Sequence, residues 1–254
     1  MLLFSIILAT FMYIVMMVMN MLANTLPLNG ITTGDVSFKY PNLFQPSGMT
    51  FSIWGIIYLL LLAFVIYQYT YLGKPMTLES RDLLIKINVL FAFSSLFNAL
   101  WLIAWHYDRI MLSTIIMIML LITLIFISKL TVGLTVLERT TFSVYLGWIT
   151  VATIANVTIM LVKLGISSMD QRAVMLTSII LIIGLVISIL WIIREKDVAY
   201  GLVIVWAYIG ILMRHMSTSG LNRIYPLIYI TTIISLVVLV SVLGFILTKH
   251  TLTT

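Results

Sequence analysis

The chain has 254 residues and a formal net charge of +6, with 62% hydrophobic residues, only 9% charged ones and a mean hydropathy of +1.19. That composition excludes a soluble globular domain and implies a polytopic membrane protein. With no cysteine and three histidines, a disulfide framework, a thiolate metal site and a cysteine nucleophile are excluded, and neither a metal nor a cofactor is expected.

Residues 1–23 are apolar and rich in methionine, and no lysine or arginine precedes them. The positive flank of a cleaved signal peptide is therefore missing, and the segment is expected to be a retained first transmembrane helix. Residues 24–48 follow as a loop containing Pro27, Gly30, Gly34, Pro41 and Pro46, with Asp35 and Lys39 as its only charges. Such a loop is long and uncharged enough to fold back over a helix bundle as a lid.

Apolar runs then recur at 49–72, 83–105, 110–131, 142–164, 173–193, 198–213 and 224–248. Crossing a hydrocarbon core takes roughly 20 apolar residues, so with the first segment the pattern predicts an all-α transmembrane bundle of about eight helices. The seventh run is short for a span, but Ser217, Thr218 and local bilayer thinning extend its reach. The charged residues fall between the runs, in connections too small for a soluble domain. They form no basic run of the kind nucleic acid needs, so membrane lipids, and not nucleic acid, are the partners expected for the cationic loops.

Eight spans place both termini on one side, with Lys74, Arg81, Lys86, Lys129, Arg139, Arg194, Lys196 and Lys249. Lys39, Arg109, Lys163, Arg172, Arg214 and Arg223 fall on the other. The excess of cations with the termini predicts cytoplasmic ends and an external first loop, in a plasma membrane. No internal repeat and no matched pair of broken helices is present, which argues against an inverted-repeat transporter.

The middle of every predicted helix lacks Asp, Glu, Lys, Arg and His, the groups that proton relays and ion-coupled carriers need within the bilayer. General acids and bases are confined to helix ends, so no catalytic residue is assigned and the chain is not expected to be an enzyme. What the membrane interior does contain is neutral polar and aromatic. Phe51, Trp54 and Tyr58 sit at i, i+3 and i+7 of the second predicted helix, just after Pro46. Ser94, Asn98, Trp101 and Trp105 form one stripe on the third, and Tyr145, Trp148, Ala152 and Asn156 another on the fifth. An asparagine amide facing lipid would be costly, so Asn98 and Asn156 are expected to face the bundle interior, either as interhelical glue or as ligand contacts. Trp105, Trp191 and Trp206, near helix ends, read as interfacial belt residues. His106 reads as an interfacial histidine beside Asp108 and Arg109, and nothing singles out His215 or His250.

These segments resemble the TspO/MBR family, the tryptophan-rich sensory proteins related to the translocator protein or peripheral benzodiazepine receptor. Phe44-Gln-Pro-Ser-Gly-Met-Thr-Phe-Ser-Ile-Trp-Gly-Ile-Ile-Tyr58 looks like the opening of that family's second helix, with Pro46, Phe51, Trp54 and Tyr58 on matching positions. Ser94-Ser-Leu-Phe-Asn-Ala-Leu-Trp101 resembles the third-helix motif, and Tyr145-Leu-Gly-Trp-Ile-Thr-Val-Ala-Thr-Ile-Ala-Asn156 the fifth. Ser47 stands where the family has a second proline, and Ser94 where it has glutamine. The likeness covers residues 1–165, leaving 166–254 as an additional three-helix segment.

The resemblance implies a five-helix bundle whose intramembrane cavity, capped by loop 24–48, binds a flat hydrophobic molecule of the porphyrin, sterol or lipid class. The lining it implies is Phe51, Trp54, Tyr58, Asn98, Trp101, Tyr145, Trp148, Ala152 and Asn156, with Pro46 as hinge. A homodimer is expected on the same analogy. The alternatives are a small-solute or lipid permease using all eight helices, and an enzyme degrading the bound ligand.

Overall fold

A computed structural model describes residues 1–25, 28–166 and 169–251, without the side chains of Phe38, Lys249, His250 and Thr251. Pro27 of the predicted lid and the side chain of His250 lie outside the described residues. Within them the chain is all-helical: α1 (Leu2–Thr25), α2 (Thr33–Phe38), α3 (Ile53–Gln68), α4 (Leu78–His106), α5 (Ile110–Leu130), α6 (Val136–Lys163), α7 (Gln171–Glu195), α8 (Val198–Met216) and α9 (Pro226–Thr251). All but α2 are long and apolar enough to cross a membrane, α3 together with the 3-10 turns that extend it to Gly48–Tyr71, which gives the eight expected spans of an integral, multi-pass protein.

Lipid offers no hydrogen bonds, so a spanning segment must satisfy its backbone internally, and its hydroxyls follow the same rule. Thr10, Ser178 and Thr232 each donate to the carbonyl four residues earlier, Ile6, Val174 and Ile228, all at 2.8 Å. Helices α4 and α6 begin several residues before their apolar runs because their first turns are capped. The Thr77 hydroxyl accepts from the Ser80 N–H at 3.1 Å. Thr135 and Glu138 bond reciprocally, at 3.2 and 3.4 Å. Helix α8 reaches 19 residues, longer than its apolar run, with the Asp197 carboxylate accepting from the Tyr200 N–H at 3.1 Å to start it.

The chain forms two compact units. The first comprises Met1–Lys39 and Trp54–Ile149. In it α1 packs along α4, and α4 along α5. Its centre is a triad of buried rings from α3, α4 and α6, with Phe64 meeting Phe91 at 5.4 Å and Phe142 at 4.8 Å, both edge to face. The second unit comprises Tyr40–Ile53 and the chain from Thr150 onward. There α7 and α8 both pack on α9. A glycine brings α7 and α8 close: the Tyr208 hydroxyl donates to the Leu181 carbonyl at 2.6 Å, and a Cβ on Gly184 would sit 3.0 Å from that hydroxyl.

The predicted lid is structured. It holds a 3-10 turn at Leu28–Gly30, the short helix α2 capped reciprocally by Thr32 and Asp35, and a second 3-10 turn at Gly48–Ser52. Its first half belongs to the first unit and its second half, from Tyr40, to the other.

Candidate functional site

Within the first unit, Trp54 is the hub of an aromatic cluster. It stacks on Tyr58 at 5.4 Å with the planes 21° apart, as two residues one turn apart on α3 can. The edges of Tyr145 and Trp148, from α6, approach it at 6.2 Å each. Tyr145 and Trp148 are buried, at 0% and 2% exposure, so these rings close on one another.

A chain of polar side chains runs beneath the cluster. The Tyr58 hydroxyl donates to Asn20 Oδ1 at 2.5 Å. Asn20 Nδ2 donates to Asn98 Oδ1 at 2.8 Å, and Asn98 Nδ2 donates to the Tyr145 hydroxyl at 3.1 Å. From α1, the Tyr13 hydroxyl adds a bond to the Tyr58 carbonyl at 3.1 Å. Four helices are thereby tied at a level where any polar group left alone would be costly. The stripes on α4 and α6 predicted Asn98 and Tyr145; Tyr13 and Asn20 were not singled out, although they lie at i and i+7 of the first apolar run, the same one-face spacing.

Gln68, Asn88, Ser95 and Trp101 of this unit each carry a buried side-chain atom with no hydrogen-bond partner among the described residues, and of these Trp101 is a predicted site residue. Trp101 is 7% exposed, one turn beyond Asn98 on α4, and its indole N–H has no hydrogen-bond partner among the described residues. Indole nitrogen is a donor only, so α4 carries an unused donor here, on a ring whose centroid lies 5.8 Å from that of Trp105. Ser94, in the glutamine position of the resembled motif, instead donates to the Phe91 carbonyl of its own helix at 2.8 Å.

The first half of the lid is pinned to the end of α4. Asn29 Nδ2 donates to the His106 carbonyl at 3.1 Å, and the Trp105 indole N–H donates to the Thr33 carbonyl at 3.1 Å. Lys39 pairs with Asp108 at 2.6 Å. His106 is fully buried, its Nδ1–H donating to the Leu102 carbonyl at 2.8 Å and its Nε2 lying 3.4 Å from the Thr33 hydroxyl.

The remaining predicted site residues belong to the second unit. Phe51 lies in the 3-10 turn before α3 and is 40% exposed, Ala152 is half-buried, and Asn156 is 2% exposed. Pro46 lies in a stretch that sequence patterns had not connected to the C-terminal helices. There Arg214 Nη1 donates to the Asn42 and Gln45 carbonyls at 2.9 Å each. His215 Nε2–H donates to the Leu43 carbonyl at 2.9 Å. The Trp206 indole N–H donates to the Thr50 carbonyl at 2.9 Å.

Four residues read as interfacial from their places near helix ends make hydrogen bonds within the protein. Trp105 and Trp206 direct their N–H groups to protein carbonyls, and Trp191 directs its own to the Asp197 carboxylate at 3.2 Å. His106, read as interfacial, is a buried anchor of the lid. Elsewhere in the first unit, a depression of about 620 Å³ opens between the start of α1 and the α3–α4 connection, beside Leu3, Leu72 and Lys74. It lies at the opposite end of α3 from Trp54.

A family model described as TSPO-like protein matches residues 6–245. The match runs past residue 165, where the three motifs end, and takes in α7, α8 and nearly all of α9. Searches of curated proteins and of solved structures return no match.

Proposed function

The chain belongs to the TSPO-like protein family, and from that premise we propose that it binds a flat hydrophobic molecule of the porphyrin, sterol or lipid class within the bilayer, in a sensory or translocator-like role without catalysis. The site proposed is the cluster of Trp54, Tyr58, Asn98, Trp101, Tyr145 and Trp148, in a plasma-membrane protein with cytoplasmic termini that associates as a homodimer.

The observation that carries this reading is the buried Trp101 N–H without a partner. Native proteins leave few such groups, because each costs about 1–3 kcal/mol of lost solvation. A ligand carboxylate or carbonyl would supply the missing acceptor. The Trp54 cluster supplies the other requirement: Tyr58 covers the face of Trp54, so a planar ligand entering there exchanges one ring stack for another at small net cost. The polar chain through Asn20 and Asn98 keeps the surrounding helices in register while that exchange occurs.

Quenching of tryptophan emission by protoporphyrin tests the reading. Trp101→Phe keeps the ring, removes the donor and breaks no protein hydrogen bond, so affinity should fall about tenfold, equivalent to roughly 1.4 kcal/mol, while the thermal midpoint holds. Parental affinity in both Trp101→Phe and Trp54→Leu would overturn the proposal.

A further inference from the structure

The depression between the start of α1 and the α3–α4 connection, about 620 Å³ in volume, lies wholly within the first unit. Its size falls in the range of small-ligand sites, roughly 300–1,000 Å³. Three apolar spans, those of α1, α3 and α4, end around it, so it opens at the border of a bilayer. Two kinds of group line it. Lys74 and Arg81 are cationic and exposed, while Leu2, Leu72 and Leu78 form an apolar wall. Leu2 is 4% exposed, Leu72 36% and Leu78 80%, so that wall runs from the protein core out to its surface.

The local fold places the two cations and does not neutralise them. The chain leaves α3 through a 3-10 turn at Tyr69–Tyr71 and reverses at Gly73, whose φ of 79° glycine adopts without strain. Lys74 follows directly, its N–H donating to the Tyr71 carbonyl at 3.4 Å. Arg81 is the fourth residue of α4, close to the positive end of the helix dipole, where an anion is favoured and a cation is not. Among the described residues neither has an ion-pair partner. Glu138 is fully buried, and its carboxylate accepts from the Tyr71 hydroxyl at 3.1 Å and from the Thr135 hydroxyl at 2.7 Å. Glu79 and Asp82, on the first turns of α4, do not line the depression. Two cations without a counter-charge thus stand beside an apolar wall.

We propose that this depression binds one anionic phospholipid, with its phosphate between Lys74 and Arg81 and the upper part of an acyl chain along Leu2, Leu72 and Leu78. Charge complementarity selects the phosphate, whose oxygens accept charge-assisted hydrogen bonds from both side chains. The apolar wall at the mouth of the spans selects a lipid over a free phosphate. A general attraction of cationic loops for anionic membranes is spread over the surface, whereas this is one saturable place. It lies at the opposite end of α3 from Trp54 and does not depend on that cluster taking a ligand.

Native mass spectrometry of the full chain in detergent micelles tests this, with dioleoyl phosphatidylglycerol as the probe. The parental protein should take up one phosphatidylglycerol saturably. Lys74→Gln combined with Arg81→Gln should raise the dissociation constant about tenfold or more. Lys86→Gln combined with Lys129→Gln removes two exposed cations of the same unit outside the depression, and should leave binding unchanged. Inorganic phosphate at the same concentration should not displace the lipid. Equal weakening by both pairs would reduce the site to diffuse attraction and overturn it. Displacement by inorganic phosphate would overturn the lipid assignment, and unchanged affinity in the Lys74→Gln, Arg81→Gln protein, or binding that never saturates, overturns the site itself. Thermal midpoints without phosphatidylglycerol should agree among the three proteins, because every substituted side chain is exposed. A lower midpoint in the Lys74→Gln, Arg81→Gln protein alone would assign those side chains to the fold and not to a lipid.

Discussion

The two halves of the chain between α1 and α3 are held by opposite means. From Leu28 to Lys39 the attachment is to the end of α4 and includes an ion pair whose side chains are 54% and 34% exposed. From Asn42 to Thr50 it is to α8, and donors on the helix reach main-chain carbonyls of residues that are themselves buried, such as Asn42 at 3% and Gln45 at 5%. Water and salt compete with the first kind of contact and not with the second. Losing a donor in the second half strands a buried carbonyl, whereas losing the ion pair returns two charges to solvent. The C-terminal helices therefore hold the firmer end of the loop.

Removing one donor from the firm end should have the largest effect. Arg214→Leu deprives two buried carbonyls of their partner, and a loss of about 2–4 kcal/mol is expected, read as a lower thermal midpoint in detergent. A change below about 0.5 kcal/mol, the level of an ordinary surface substitution, would mean that the two ends are held alike.

At the weak end, Lys39→Met should cost only about 0.2–1 kcal/mol. The deficit should also vanish near 1 M salt, where charges are screened within about 3 Å. Unfolding midpoints of the two proteins compared across a salt series would decide it. A deficit that persists at high salt would show that the pair behaves as a buried contact.

How far the sequence foretold this contrast depends on what kind of group makes each contact. Eight spans were legible because a bilayer forces charge out of runs of fixed length, and the structure has those helices. The stripes were legible because helical period aligns Asn98 with Trp101 and Tyr145 with Trp148, and Asn98 does meet Tyr145. The attachment of Asn42–Thr50 was not legible. A carbonyl is the same on every residue, so nothing in that stretch records that α8 will bind it. The partners of Trp105 and Trp206 were not legible for a related reason. Proximity to a helix end suggests a membrane interface, but their partners are carbonyls 72 and 156 residues away, a separation that no local pattern encodes.

The smallest effect separates the weak half further, through α2. Asp35 accepts from the Thr32 N–H at 2.8 Å and from the Thr32 hydroxyl at 2.7 Å, and these bonds, the hydroxyl's first, hold its carboxyl below the usual aspartate range. A group whose pKa is lower in the folded state stabilises that state above its unfolded pKa, about 3.9 for aspartate. The contribution fades as pH falls through the lower folded value. Near neutrality, hydrogen exchange of the Thr33–Phe38 amides should therefore be slower in the parental protein than in Asp35→Ala. The gap should close once the pH drops well below the ordinary aspartate value. Amides from Leu43 to Thr50, whose partners on α8 include no carboxylate, should show no such convergence. If protection of α2 instead stays above that of the variant at the acid end, the Asp35 carboxyl caps the helix through hydrogen bonds that do not need its charge.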